Sequence, residues 1–288
     1  CIMLPAFTMQ GYESTWFLTW NVFGWLTASS VLIAAAGYII NDYFDLNIDQ
    51  VNKPDSIVIQ KIIKRRWAIF WHLTLSFAGV VIAFYVSWKL KSWLVGPLNL
   101  LCVLLLWFYS TTFKKKFLLG NIIISLLTAW VVFVLYIGEL HIITLTREHA
   151  YYLAIARIFK LAILYGGFAF IISLVREVIK DMEDIQGDEK YGCRTMPIIW
   201  GIPAAKVFTA VWLVVLIVAT VIAAVYGILL GWIVASMYAI MLVAFPFVIV
   251  VRNLYKAATP RQFHQISNLI KLVMLTGILS MVFFKWHI

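Results

Sequence analysis

Eight apolar runs of about twenty residues each, set apart by short polar segments, leave this chain of 288 residues few ways to fold. They fall at about 15–40, 67–88, 92–110, 118–138, 152–175, 204–226, 228–250 and 265–286. In lipid such a run must satisfy its own backbone hydrogen bonds, which restricts it to a helix or a closed barrel. No ten-residue alternation of apolar and polar positions supports a barrel. Composition agrees: 64% of the residues are hydrophobic and 12% charged, against about 45–50% and 25% in soluble domains. The expected fold is all-α, a polytopic membrane helix bundle, and no Pro/Ser-rich linker divides it. The reading is therefore one membrane-embedded domain over residues 1–288. The opening CIMLPAF looks like the tail of a longer apolar segment, so a further helix is expected ahead of it, for nine in all.

The formal charge of +10 does not point to nucleic acid, because no nucleic-acid-binding pattern accompanies it. The basic residues mark loops instead. Alternate loops, carrying Lys53 to Arg66, Lys114 to Lys116, Arg176 to Arg194 and Arg252 to Arg261, hold 15 of them, and the intervening loops hold three. The positive-inside rule puts the rich side in the cytoplasm, and the membrane expected is that of a bacterial or archaeal cell. The three cysteines are isolated, and the five histidines show no ligand spacing.

The acids are more concentrated still. Ten of 13 Asp and Glu lie in 42–55 or 177–189. In NDYFDLNID, Asp42, Asp45 and Asp49 stand three and four residues apart, within an arc of roughly 60° on a helix. In REVIKDMEDIQGD, Asp181, Asp184 and Asp188 repeat that spacing, again after an apolar run. Six aspartates brought to one cavity would repel unless cations sat among them. Carboxylate-only clusters suit hard cations, above all Mg²⁺, which keeps waters and takes substrate phosphate oxygens. Lys53, Lys114, Lys115, Arg176 and Lys180 are placed to touch the same phosphates. Metal and basic groups together stabilise a departing diphosphate. Tyr38, Tyr43, Phe44, Trp107, Phe108 and Tyr109 are candidates to shield an allyl cation, although each is more simply an interface or packing ring.

These residues carry a resemblance. NDYFDLNIDQVNKPDS and REVIKDMEDIQGDEKYGCRTMPI resemble the two aspartate-rich motifs of the UbiA family of intramembrane prenyltransferases. The resemblance implies a nine-helix bundle that moves a prenyl group from its diphosphate to an acceptor with Mg²⁺. It assigns Asn41, Asp42 and Asp45 to the first metal-binding head, with Asp49 its last acid, and Asp181 and Asp184 to the second, with Asp188 behind. Asp42, Asp45, Asp181 and Asp184 are thereby the catalytic and metal residues. Arg176 matches the basic residue before the second motif. Tyr109 with Lys114 and Lys115 resembles a tyrosine–lysine motif that holds the diphosphate, with a spacing of five where many members have four. The remaining substrate contacts are Lys53, Asp49 and Asp188.

VNKPD, KKKFLLGN and EDIQGDEKYGCRTMPI resemble the members that join geranylgeranyl to geranylgeranylglyceryl phosphate. The family often has a basic residue after the Pro-Asp pair, where this chain has Ser56. An aromatic acceptor such as 4-hydroxybenzoate or a dihydroxynaphthoate is the alternative within the family. A cation transporter is the alternative from another class, since intramembrane acids mark ion paths; it expects acids at mid-span, whereas these lie at span ends.

Overall fold

The computed structural model describes residues 19–139 and 149–283. Residues 15–18 and 284–286 of the expected spans, and Arg147, lie outside it. The described residues form helices: α1 (Trp20–Asn52), α2 (Arg65–Lys89), α3 (Val95–Thr111), α4 (Leu119–Glu139), α5 (His149–Glu183), the short α6 (Ile185–Lys190), α7 (Gly201–Leu229), α8 (Ile233–Lys256) and α9 (Pro260–Leu279). Seven are long and apolar enough to cross a membrane, and α3 is a shorter apolar helix. Together they correspond to the eight expected runs.

Two boundaries differ from the sequence reading in an informative way. α1 does not stop near residue 40 but continues through the first acidic motif to Asn52. At 1.5 Å per residue its 33 residues make a rod of roughly 50 Å, against a hydrocarbon core of about 30 Å. The polar turns outside lipid lower the hydropathy without interrupting the backbone hydrogen bonds. Likewise α5 runs on to Glu183 rather than ending near 175, and carries Arg176 to Asp181 on its last two turns.

The chain divides into two compact units. One takes the described residues up to 167 together with 186–193, and so contains α1 to α4, the first part of α5, and α6 from Gln186 onward. Within it α1 and α2 approach closely through small residues. Ser29 Oγ donates to Gly79 O at 2.7 Å, and a Cβ at Gly79 would lie 2.8 Å from Ile33 Cγ1, so only glycine fits. Buried His72 reaches Ala36 O through Nδ1 at 3.0 Å. The segment after α1 folds back on it: Leu46, Ile59 and Ala68 form a buried cluster joined by Ile39, Tyr43 and Ile57. Ile39, Tyr43 and Leu46 follow the i, i+4, i+7 stripe of a packed face and fix how α1 is rotated about its axis.

The second unit takes 168–185 and the described residues from 194 onward. Lys206 Nζ donates to the carbonyls of Tyr255 and Ala257 at the C-terminal end of α8, closing carbonyls that the helix leaves open. α8 contains a π-helical stretch, Ile240–Ala244, just before Pro246. Pro246 has no N–H to give Leu242 O, and the Thr276 hydroxyl donates to that carbonyl at 2.7 Å instead. Tyr238 OH in turn donates to Thr276 O at 2.9 Å.

Candidate functional site

The first motif occupies the last three turns of α1. Continuous helix keeps Asp42, Asp45 and Asp49 on one arc, as their spacing predicts. Asp42 is exposed, and Asp45 and Asp49 are half-buried. Asn41 Oδ1 is buried and accepts no hydrogen bond. Across from the motif, the 3₁₀ turn Phe113–Lys115 brings Lys114 onto Asp45 in an ion pair. Gly120 sets that turn's path, because a Cβ there would come within 2.7 Å of Lys114 Cα. The three lysines are thereby distinguished. Lys114 is on the carboxylate, Lys115 is exposed beside it, and Lys116 lies over the Phe113 ring at 5.7 Å. Lys53 ends the helix with its N–H on Asp49 O at 2.8 Å, and Tyr109 is half-buried on α3.

The second motif behaves differently. Its first members stand at the end of α5, but the helix breaks at Asp184 and restarts as α6. Asp184 immediately precedes α6, a position that favours aspartate as a cap. Asp181, Asp184 and Asp188 are therefore not carried on one continuous helix, unlike the first triad, and Asp188 belongs to the unit of α1 while Asp181 and Asp184 belong to the other. Within the unit of α1, Gly187 N–H donates to Asn52 Oδ1 at 2.8 Å, which anchors α6 to the end of the first motif's helix. Cys193, at the end of the turn that follows, is buried there. Burial pushes its thiol up to about 11, Asp188 and Asp45 push the same way, and Lys115 and Lys114 pull it down. The first motif, the lysine turn and Asp188 thus share one electrostatic neighbourhood.

In the other unit the end of α5 carries its own charged network. Glu177, 7% exposed, takes Arg176 Nη1 on one oxygen at 2.9 Å and Lys180 Nζ on the other at 3.5 Å. Arg176 Nε is buried without an acceptor. Glu183 meets His264 Nδ1 at 3.0 Å, joining α5 to the first turns of α9. Asp181 and Asp184 are half-buried.

Sequence reading missed Asn52, Glu177, Glu183 and His264. Only Glu177 left a local signal, in its i, i+3 spacing to Lys180. Of the aromatic candidates, Tyr43, Phe44 and Trp107 form an edge-to-face chain with centroids 5.2 and 5.9 Å apart, and His72 adds to it 5.4 Å from Trp107. The Arg65 guanidinium lies 5.2 Å from the Tyr43 centroid. Tyr38 is 74% exposed and takes no part in the chain.

Among the described residues no three His, Cys, Asp or Glu side chains converge into a metal-holding group. The oxygens of the first motif nevertheless fit Mg²⁺, which usually takes only one or two carboxylates and completes its shell with waters and phosphate oxygens. The buried, unsatisfied Asn41 Oδ1 beside Asp42 and Asp45 is a donor of that kind.

Comparison with known proteins bears on these residues. The UbiA prenyltransferase family profile matches residues 2–270. A digeranylgeranylglyceryl phosphate synthase of Methanosphaera stadtmanae is 28% identical over 252 residues, 86% of this chain and 82% of that protein. Another, of Methanothermobacter thermautotrophicus, is 32% identical over 197 residues, 67% of this chain but only 62% of that protein's length. Among solved structures, a UbiA homologue from Aeropyrum pernix superposes with a TM-score of 0.65 at 15% identity, covering 97% of each chain. A UbiA homologue from Archaeoglobus fulgidus, solved with DMAPP and Mg²⁺ bound, gives 0.56 at 14% identity over 98% of this chain and 94% of that one. The profile match runs across nearly the whole chain, and on that match the chain belongs to the UbiA prenyltransferase family.

Proposed function

We propose that this membrane transferase moves a geranylgeranyl group from its diphosphate to geranylgeranylglyceryl phosphate, with Mg²⁺, at the cytoplasmic face of the membrane. The observation that carries the reading is the first motif's geometry: a carboxylate and a lysine, Asp45 and Lys114, brought together beside an unsatisfied Asn41 oxygen at the end of a membrane-crossing helix. The relatives named digeranylgeranylglyceryl phosphate synthase support the choice of acceptor. The homologue with DMAPP and Mg²⁺ bound supports the donor class and the metal. Family membership sets a cation transporter aside.

Asn41, Asp42 and Asp45 of the first motif, and Asp181 and Asp184 of the second, would hold the metal. Mg²⁺ bound there supplies charge neutralisation for the departing diphosphate. Lys114 and Lys115 add positive charge to the same leaving group, Lys53, Tyr109 and Arg176 orient it, and Asp49 and Asp188, themselves anionic, would act on it only through the metal. The bond from the prenyl C1 to the diphosphate oxygen breaks, and its electron pair leaves with the diphosphate. Tyr43, Phe44 and Trp107 face the resulting allylic positive charge with ring π-density and exclude water. The acceptor's hydroxyl oxygen then forms the new C–O bond and passes its proton to one of the motif aspartates, the base this reading offers.

The test offers purified protein one labelled donor with geranylgeranylglyceryl phosphate, 4-hydroxybenzoate and a dihydroxynaphthoate, each with Mg²⁺ and with chelator. An ether product that requires Mg²⁺ is expected from the glycerolipid. Product from an aromatic acid alone would overturn the acceptor, and full turnover in chelator would overturn the metal.

A further inference from the structure

Arg176 poses a local problem that its own helix does not solve. Its guanidinium is largely buried near the end of a membrane-crossing helix, with side-chain exposure of 22%. Nη1 is occupied by Glu177, yet Nε has no acceptor and no solvent. A buried guanidinium N–H left unmatched is costly, and the group that best matches it is an anionic oxygen, a phosphate above all. Glu177 does not fill this need, although it is adjacent and itself buried, because its two oxygens are divided between Arg176 and Lys180. Asp181 and Asp184 act on Lys180 as well, so Glu177 is the carboxylate that both cations touch directly.

We propose that Glu177 is a positioning residue: it brackets Arg176 and Lys180 so that the Arg176 Nε–H is held out for a phosphate oxygen of a substrate. Glu177 fixes the guanidinium by a charge-assisted hydrogen bond at Nη1 and leaves the buried Nε–H without a partner. It also holds Lys180, four residues after Arg176 and on the same side of the helix, against the repulsion of the neighbouring cation. Two substrates of the proposed reaction carry such oxygens, the donor diphosphate and the acceptor's glycerol phosphate. The inference rests on that reaction for its choice of ligand.

The experiment uses the full chain in detergent or nanodiscs, comparing wild type with Glu177→Gln, which keeps the shape and removes the charge. The bracket predicts that KM for one phosphate-bearing substrate rises roughly tenfold while kcat stays within about threefold, as expected for loss of ground-state binding. The substrate whose KM moves identifies the phosphate. Calorimetric titration with Mg²⁺–pyrophosphate and with glycerol phosphate should show the same selective weakening. Arg176→Lys, which keeps the charge but lacks Nε, should raise the same KM and serves if Glu177→Gln fails to fold. Unchanged or lowered KM for both substrates, with any fall confined to kcat or melting temperature, overturns the bracket. A wild type that turns over no prenyl donor fails the proposed reaction instead, and the probe titrations then decide the bracket on their own.

Discussion

The side-chain oxygen of Asn52 accepts the backbone N–H of Gly187 at 2.8 Å, across 135 residues of sequence. It ties the last residue of the helix bearing the first acidic motif to the short helix that carries Asp188 of the second. Gly187 is buried, and a Cβ there would stand 2.5–2.7 Å from the Asn52 amide atoms. Both the hydrogen bond and the absence of a side chain are therefore required.

Gly187→Ala is expected to break this tie and lower turnover by roughly tenfold or more, since a displacement of about 1 Å can cost 100-fold in rate. Asn52→Ala should cost less, and the double variant should fall short of the sum, because both changes remove one contact. Turnover and melting temperature of the four proteins check this. Additive losses would mean that the two residues act separately.

Asp45→Asn should lower kcat by at least about 100-fold and raise the Mg²⁺ concentration needed for half-maximal rate, in keeping with loss of a charged metal ligand. Lys114→Ala should act differently. It leaves a largely buried carboxylate without its cation, a loss on the order of 3 kcal/mol where burial is complete and less here. Melting curves with and without Mg²⁺ separate the two: Mg²⁺ should restore the stability of Lys114→Ala and not that of Asp45→Asn.

Cys193 predicts an alkaline instability. Its thiol ionises near 9 when unfolded and is pushed up to about 11 by burial in the fold. The unfolded chain thus loses its proton first, so the contribution to stability is whole below pH 9 and declines from pH 9 to 11. Cys193→Ala should flatten that decline in melting temperature measured from pH 8 to 11. Thiol reagents at pH 8 should modify folded Cys193 slowly, with only about one thiol in a thousand ionised.

Thr276→Val should destabilise the α8–α9 pair by about 1 kcal/mol, the cost of leaving a carbonyl short of a donor. The hydroxyl it removes is the one donating to Leu242 O next to Pro246. A lower melting temperature with KM unchanged for both substrates is expected, since Thr276 belongs to neither motif. A change in KM without loss of stability would contradict a purely structural role.

The helix class and the eight runs were legible because lipid imposes a minimum length on any apolar segment, and that length is written directly in the sequence. Acid spacing on α1 was legible for a similar reason, since a continuous helix turns 42, 45 and 49 into one arc. The same spacing at 181, 184 and 188 does not make one arc, because the helix breaks at Asp184, and spacing alone does not show that break. Partners on one helix, such as Glu177 and Lys180, could be read from their separation. Asn52 with Gly187, and Glu183 with His264, 81 residues apart, could not, because no periodicity links residues that only the folded chain brings together.

The unbroken length of Trp20–Asn52 has a mechanical consequence. A thicker or thinner bilayer changes the tilt of a lipid-crossing helix. No hinge separates the lipid-crossing part of this one from Asn41, Asp42 and Asp45, so any such tilt is transmitted to the acidic turns as a lever transmits it. Lipid chain length thereby becomes a variable of this protein's chemistry and not only of its solvation.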